Sequence, residues 1–83
     1  MKWTYEDLAE VIEEAGYDVE PYSGRAMFGA ECVSVQLESD AGLWNMAVDL
    51  ARHTDEPIPA PRTDSLGFGI VAYWPTAKRV DAA

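Results

Sequence analysis

The sequence predicts an α+β domain in which two helices cover one face of a small, mostly antiparallel sheet. Two amphipathic segments with a helical repeat are separated by segments whose apolar residues recur at every second position. The predicted order is helix, strand, strand, helix, strand, which is typical of a two-layer sandwich. The chain has 83 residues, and 48% of them are hydrophobic. We therefore expect one folded domain over residues 1–76 and a flexible C-terminal tail over residues 77–83.

The first helix is predicted from Thr4 to Ala15. Thr4 is placed to cap it, with Asp7 three residues later, and Gly16 is suited to the left-handed conformation that ends a helix. One face of this helix is acidic and carries Glu6, Asp7, Glu10, Glu13 and Glu14. Such a face is usually just solvated, but a compact acidic protein can also imitate a phosphate backbone.

Two strands are predicted next, over residues 17–22 and residues 31–37. Pro21 favours an edge position for the first. In the second, strict alternation places Val33, Val35 and Leu37 on the face toward the helices. A third strand, over residues 66–74, adds Phe68, Ile70, Ala72 and Trp74 to that face. The opposite face would carry Tyr22, Cys32, Ser34, Gln36, Gly67, Gly69, Val71 and Tyr73.

The second helix is predicted to begin at Ser39 or Asp40 and to end near Arg52 or His53. Its core face is expected to hold Leu43, Ala47, Leu50 and Ala51, and Trp44 and Met46 widen the apolar surface. Residues 54–61 follow, and the three prolines among them cannot continue a helix. We call residues 54–61 the proline arm and expect it to be semi-rigid.

Composition excludes several classes of function. With 15 acidic and 6 basic residues the net charge is −9, which disfavours direct binding to nucleic acid or to an anionic membrane. No apolar stretch reaches the length of a bilayer-spanning helix, and the N-terminal residues do not resemble a signal peptide. The single cysteine fits a reducing compartment, so we expect a cytoplasmic protein. A domain this small gains from burying more surface, so a homo-oligomer is also expected.

Two arginines lie in loops marked by glycine and serine: Arg25 in residues 23–29 and Arg62 in residues 61–67. A guanidinium group with fixed donors suits a phosphate or a carboxylate, so the two loops are candidate halves of one anion-binding site. The candidate ligand-binding residues are Tyr22, Ser23, Gly24, Arg25, Gly29, Arg62, Thr63, Asp64, Ser65 and Tyr73. The alternative is that both loops are ordinary turns, with solvated arginines and with Met27 and Phe28 tucked against the core.

Neither catalysis nor a cofactor is expected. Cys32 and His53 are the only residues of their types, and no local motif links them as nucleophile and base. His53 with Asp49 and Asp55 lacks a further histidine or cysteine for a tight metal site. We therefore expect no catalytic residues, no metal and no cofactor.

The strings SGRAMFG, ECVSV and PRTDSLGFGIVAYWP resemble segments of small acidic proteins from phages and actinobacterial genomes. The corresponding segments there are SGRGMYG followed by a cysteine, and RTDSMGxG followed by a strand ending in YWP. Ala26 and Phe28 depart from the glycine and tyrosine of that pattern. The resemblance implies a phage setting, in which proteins of this size often counteract host defence.

These observations favour a binding protein over an enzyme. The first hypothesis is that the chain sequesters an anionic, nucleotide-like small molecule, such as a cyclic-nucleotide or ADP-ribose-type immune signal, without cleaving it. Arg25 and Arg62 would hold phosphates, and Tyr22 or Tyr73 would stack on a base. The alternative is an acidic protein-binding inhibitor or DNA mimic whose first helix docks on a basic surface of a host defence complex.

Overall fold

The structure is a computed structural model, and it describes residues 3–24 and 27–79. Its elements are α1 (Tyr5–Glu14), β1 (Glu20–Tyr22), β2 (Cys32–Leu37), α2 (Asp40–His53), β3 (Arg62–Leu66) and β4 (Gly69–Lys78). The strands form one antiparallel sheet in the order β1-β2-β4-β3. The predicted α+β sandwich is confirmed.

Both helices form where the sequence predicts them. The backbone N–H of Asp7 donates to the Thr4 hydroxyl at 3.1 Å, which caps α1. Gly16 follows the helix with a φ of 97°, in the left-handed region that favours glycine. Ser39 is the residue before α2 in the N-cap position, and its side chain makes no capping hydrogen bond.

The core lies between the two helices and one face of the sheet. It contains Leu8 and Ile12 from α1 and Met46 and Leu50 from α2. The sheet contributes Val33, Val35, Ala72, Trp74 and Ala77. Because the side chains of alternate residues share a face, the predicted inward sets of β2 and β4 are largely the observed ones.

The strand predicted over residues 66–74 corresponds to β4, which forms a hairpin with the preceding strand β3. β3 covers Arg62–Leu66, and a turn at Gly67 and Phe68 leads into β4. The prediction that Phe68 belongs to the core face is wrong, because its side chain lies in this turn and is 82% exposed. The polar residues of β3 carry no apolar alternation, so the sequence pattern does not reveal this strand.

Two further boundaries differ from the prediction. The strand β4 continues to Lys78 and Ala77 is buried, so the chain is ordered past residue 76 and a tail beginning at residue 77 is wrong. Ala47 and Ala51, predicted in the core, are exposed, because Met46 and Leu50 fill the space under α2. Residues 80–83 of the predicted tail lie outside the described residues.

Candidate functional site

Side chains from the end of β1 and from the start of β3 lie on the same face of the sheet and at the same end of it. Tyr22 pairs with Cys32, Ser34 pairs with Tyr73, and Tyr73 pairs with Arg62. Residues directly opposite each other on antiparallel strands point to the same face. Part of the predicted two-loop site is therefore brought together.

A compact aromatic cluster lies at this end. The Tyr22 hydroxyl donates to the Asp64 carboxylate at 2.6 Å, and the rings of Tyr22 and Tyr73 have centroids 5.0 Å apart. The hydrogen bond to Asp64, together with burial, raises the pKa of Tyr22 to about 12. A Cβ atom on Gly24 would lie 2.9 Å from Tyr73 Cζ, so only glycine lets the loop pack this closely on the rings.

Other predicted site residues do not join the cluster. Thr63 pairs with Ala72 and Ser65 with Ile70, so both side chains point to the opposite face from Arg62 and Asp64. The prediction that they line the same site is wrong. Tyr73 is only 3% exposed, so its ring has no free face on which a base could stack.

In the loop after β1, the structure describes residues 23–24 and 27–31. Arg25 lies outside the described residues. Ser23 is exposed, and Gly29 has a φ of 83°, as a tight turn requires. Phe28, which the alternative interpretation of this loop packs against the core, has a φ of 53° and is 96% exposed. That part of the alternative is therefore wrong, whereas Met27 is buried as the alternative requires.

The face of the sheet opposite the helices, which we call the outer face, is covered near this loop. Met27, Cys32 and Tyr73 form a second buried cluster there. The Cys32 thiol donates to the Tyr22 carbonyl oxygen at 3.4 Å, and burial raises the pKa of the thiol. His53 is exposed at the end of α2, on the other side of the sheet. Cys32 and His53 are therefore not brought together.

A groove lies between α2 and the proline arm. It encloses about 610 Å³, and it is mostly lined by apolar groups. The α2 wall includes Leu43, Ala47 and Ala51, the arm wall includes Pro57 and Ile58, and Trp74 forms part of the lining. We call this feature the α2 groove. A flatter depression of about 720 Å³, which includes Lys78, lies beside Pro57, Ile58 and Pro59 of the arm.

Two tryptophans hold the arm in place. The indole N–H of Trp74 donates to the Pro59 carbonyl oxygen at 2.7 Å, and that of Trp3 donates to the Pro57 carbonyl oxygen at 3.1 Å. The Ile58 side chain packs against the main core. These contacts, with the restricted backbone of the prolines, fix the arm as one wall of the groove.

The apolar surface of α2 continues beyond the groove. Trp44 is 73% exposed and Val48 is also exposed. With about 3.6 residues per turn, both side chains lie beside Ala47 and Ala51 on the helix surface. Asp55 and Glu56, both exposed, add carboxylates at the rim. Sequence reasoning missed this groove, although the apolar stripe of α2 is wider than one core face requires.

The acidic face of α1 is exposed as the pattern predicts. Glu6, Asp7, Glu10, Glu13 and Glu14 all lie at the surface. Near one end of α1, the guanidinium of Arg79 lies 5.1 Å from the ring centroid of Tyr5 and pairs with Glu31 at 3.4 Å. Within residues 3–24 and 27–79, no cluster of histidine, cysteine and carboxylate side chains could hold a metal ion.

Comparison with protein-family models, curated proteins and solved structures finds no match to this chain. Among the described residues, no helix has the length and apolar character needed to cross a membrane.

Proposed function

We propose that the chain is a small acidic protein-binding inhibitor that occupies a basic surface of a partner protein. The observation that carries this proposal is the α2 groove, an apolar depression flanked by exposed Trp44 and rimmed by carboxylates in a chain of net charge −9. Exposed aromatic and apolar side chains supply binding energy at protein interfaces, whereas charge steers the encounter. The resemblance to phage proteins suggests a host defence complex as the partner.

Charge also favours this function over the capture of an anion. The Asp64 carboxylate lies on the same face as Arg62, two residues along β3, and already accepts a hydrogen bond from Tyr22. An anion at this position would meet the negative charge of Asp64 as well as the guanidinium. At the rim of the α2 groove and on the acidic face of α1, a basic partner meets exposed carboxylates instead.

A phage-infection assay tests the proposed function. The chain is expressed in bacterial strains that each carry one defence system, and plating efficiency is measured with and without it. We expect rescue of plating in at least one strain and loss of rescue when Glu10, Glu13 and Glu14 are changed together to glutamine. Arg62→Ala should keep rescue. Rescue that depends on Arg62 and not on the glutamates would contradict a protein-binding role.

Capture of an anionic, nucleotide-like small molecule is a second candidate. It is favoured by the contact of Gly24 with Tyr73, since Tyr73 pairs with Arg62 and the glycine loop therefore adjoins that arginine. Equilibrium dialysis against a panel of cyclic nucleotides and ADP-ribose tests it. Arg25→Ala and Arg62→Ala should each lower affinity by about tenfold or more, and Arg52→Ala on α2 should not. Equal binding by all three variants would exclude this site.

The same dialysis samples test whether the bound molecule is altered. A sequestering protein returns its ligand unchanged after heat release, and Cys32→Ser and His53→Ala should bind as the wild type does. Conversion of a stoichiometric excess of ligand to a new product, lost in either variant, would indicate an enzyme instead.

A homo-oligomer stays a prediction. The outer face of the sheet, through which two copies could associate, is partly buried by Met27 within the chain itself.

A further inference from the structure

We propose that the α2 groove binds an amphipathic helix with a basic rim, supplied by another protein. The inference deepens the proposed function and rests on it for its biological role, because it names the partner element and the surface that receives it. The apolar face of the helix would lie between α2 and the proline arm, and its lysine or arginine side chains would face Asp55 and Glu56.

The apolar lining of the groove suits a helix that presents apolar side chains at intervals of three and four residues. A volume of about 610 Å³ lies in the range of sites that receive several apolar groups. Helix-in-groove recognition uses an apolar floor and two walls, here Trp74 with α2 and the arm. Trp44 and Val48 extend the α2 wall outward, so a bound helix would cover apolar surface that is now exposed.

The carboxylates at the rim of the α2 groove favour a positively charged partner. Asp55 and Glu56 belong to the groove lining and are exposed, whereas Arg52 of α2 does not line the groove. At this rim, a second copy of a chain with net charge −9 gains less from the two carboxylates than a basic segment does. The occupant most consistent with this surface is therefore a basic amphipathic helix and not a second copy.

The fixed arm lowers the entropic cost of binding. Pro59 is tied to the buried Trp74 and Pro57 to Trp3, so the wall does not have to be ordered when a partner arrives. A preformed groove loses less conformational freedom on binding than a mobile loop does.

The test uses synthetic peptides of about 18 residues, long enough to form a helix on binding. One set carries leucines at helical spacing with flanking lysines, stepped through several apolar registers. A second set has the same composition in scrambled order, and a third replaces every lysine with glutamate. Binding to the full chain is measured by calorimetry, and amide shifts by NMR locate the contact.

Two matched pairs of variants locate the surface. Ala47→Lys places a charge in the groove, and Asn45→Lys places the same charge on an exposed position of α2 that does not line it. Asp55→Asn with Glu56→Gln removes two charges at the rim, and Asp18→Asn with Glu20→Gln removes two at exposed positions that do not line the groove.

We expect the basic amphipathic peptides to bind and the scrambled and acidic sets to bind at least about tenfold more weakly, which corresponds to about 1.4 kcal/mol. Ala47→Lys should weaken binding by at least about tenfold and the rim pair by several-fold, with both controls within about twofold. Amide shifts should concentrate at Ala47, Ala51 and Ile58.

Several results would overturn the inference: no binding in any register, equal binding of the scrambled set, or loss of binding in the control variants only. Ultracentrifugation showing a dimer that Ala47→Lys dissociates would assign the groove to a second copy. The infection assay separates the two proposals. Rescue that survives Ala47→Lys but needs the α1 glutamates would overturn the groove inference and leave an inhibitor that binds its partner through the acidic face of α1. Peptide binding in the groove without rescue in any strain would keep the inference and overturn the proposed function.

Discussion

Tyr22 and Asp64 join the two edge strands of the sheet by a 2.6 Å hydrogen bond between phenol and carboxylate. Tyr22 ends β1 and Asp64 lies in β3, and the central strands β2 and β4 separate them in the sheet. The bond therefore passes over the outer face of the sheet, beside the Tyr73 ring. It accompanies the close approach of Gly24 to the Tyr73 ring, and it uses one of the acceptor sites of the Asp64 carboxylate.

Tyr22→Phe tests how much this contact stabilises the fold. The substitution keeps the ring packing on Tyr73 and removes the hydroxyl, so the half-buried Asp64 loses a hydrogen-bond partner. We expect the free energy of unfolding to fall by about 1 kcal/mol, as measured by urea denaturation at pH 7. Ser23→Ala, an exposed change next to Tyr22, serves as the control. Identical unfolding curves for Tyr22→Phe and the wild type would mean that the bond contributes nothing.

Above about pH 10, the dependence of the free energy of unfolding on pH should come in part from two tyrosines. The hydrogen bond from Tyr17 to Asp49, at 2.6 Å, raises the pKa of Tyr17 to about 12, and the bond to Asp64 does the same for Tyr22. Raised pKa values mean that the folded state favours the neutral phenols. Their contribution is therefore complete below about pH 10, the ordinary pKa of tyrosine, and is lost as pH rises toward 12.

The measurement is urea denaturation of the wild type and of the double variant Tyr17→Phe, Tyr22→Phe between pH 8 and 12. The wild type should lose stability more steeply above pH 10, so that the two curves converge. Parallel curves over this range would show that these phenols titrate normally in the folded chain.

Gly69 and Gly67 provide a matched pair in one hairpin. A Cβ atom on Gly69 would clash with the carbonyl oxygen of Leu37, on the neighbouring strand, whereas a Cβ atom on Gly67 would meet nothing within 4 Å. Gly69→Ala should therefore lower stability by about 1–3 kcal/mol through forced backbone movement, and Gly67→Ala should change it little. Thermal unfolding of both variants checks this. Equal melting temperatures would contradict the close approach at Gly69.

The sequence predicts what depends on local periodicity and fails where tertiary contacts decide. The alternation of Val33 and Val35 and the cap at Thr4 are local signals, and both are confirmed. β3 is polar, and its pairing with β4 decides that it is a strand. Likewise, two glycines are explained by packing within the chain. The missing side chain at Gly24 leaves room for the tyrosine rings, and at Gly69 it leaves room for the backbone of Leu37.

In the candidate site too, local signals were predictable from the sequence and tertiary contacts were not. Spacing in the sequence places Arg62 near a turn, but only the register shows that Thr63 and Ser65 face the other way. The α2 groove depends on where residues 54–61 return across the helix, and composition alone does not determine that path. The wide apolar stripe of α2 was the one local sign of a second surface.

Trp74→Phe tests whether the arm is held by the indole N–H group. Trp74 is almost fully buried, and its bond to the Pro59 carbonyl oxygen is 2.7 Å long. Phenylalanine keeps an aromatic ring in the core but loses this donor and part of the ring volume. We expect stability to fall by about 2 kcal/mol, and the ¹⁵N order parameters of Ile58 and Ala60 to fall while those of β2 stay unchanged. Trp3→Phe removes a more exposed bond to Pro57 and should change stability by less than about 1 kcal/mol. If the order parameters of the arm stay at their wild-type values in Trp74→Phe, or if Trp3→Phe has the larger effect, the arm is held by something other than the Trp74 bond.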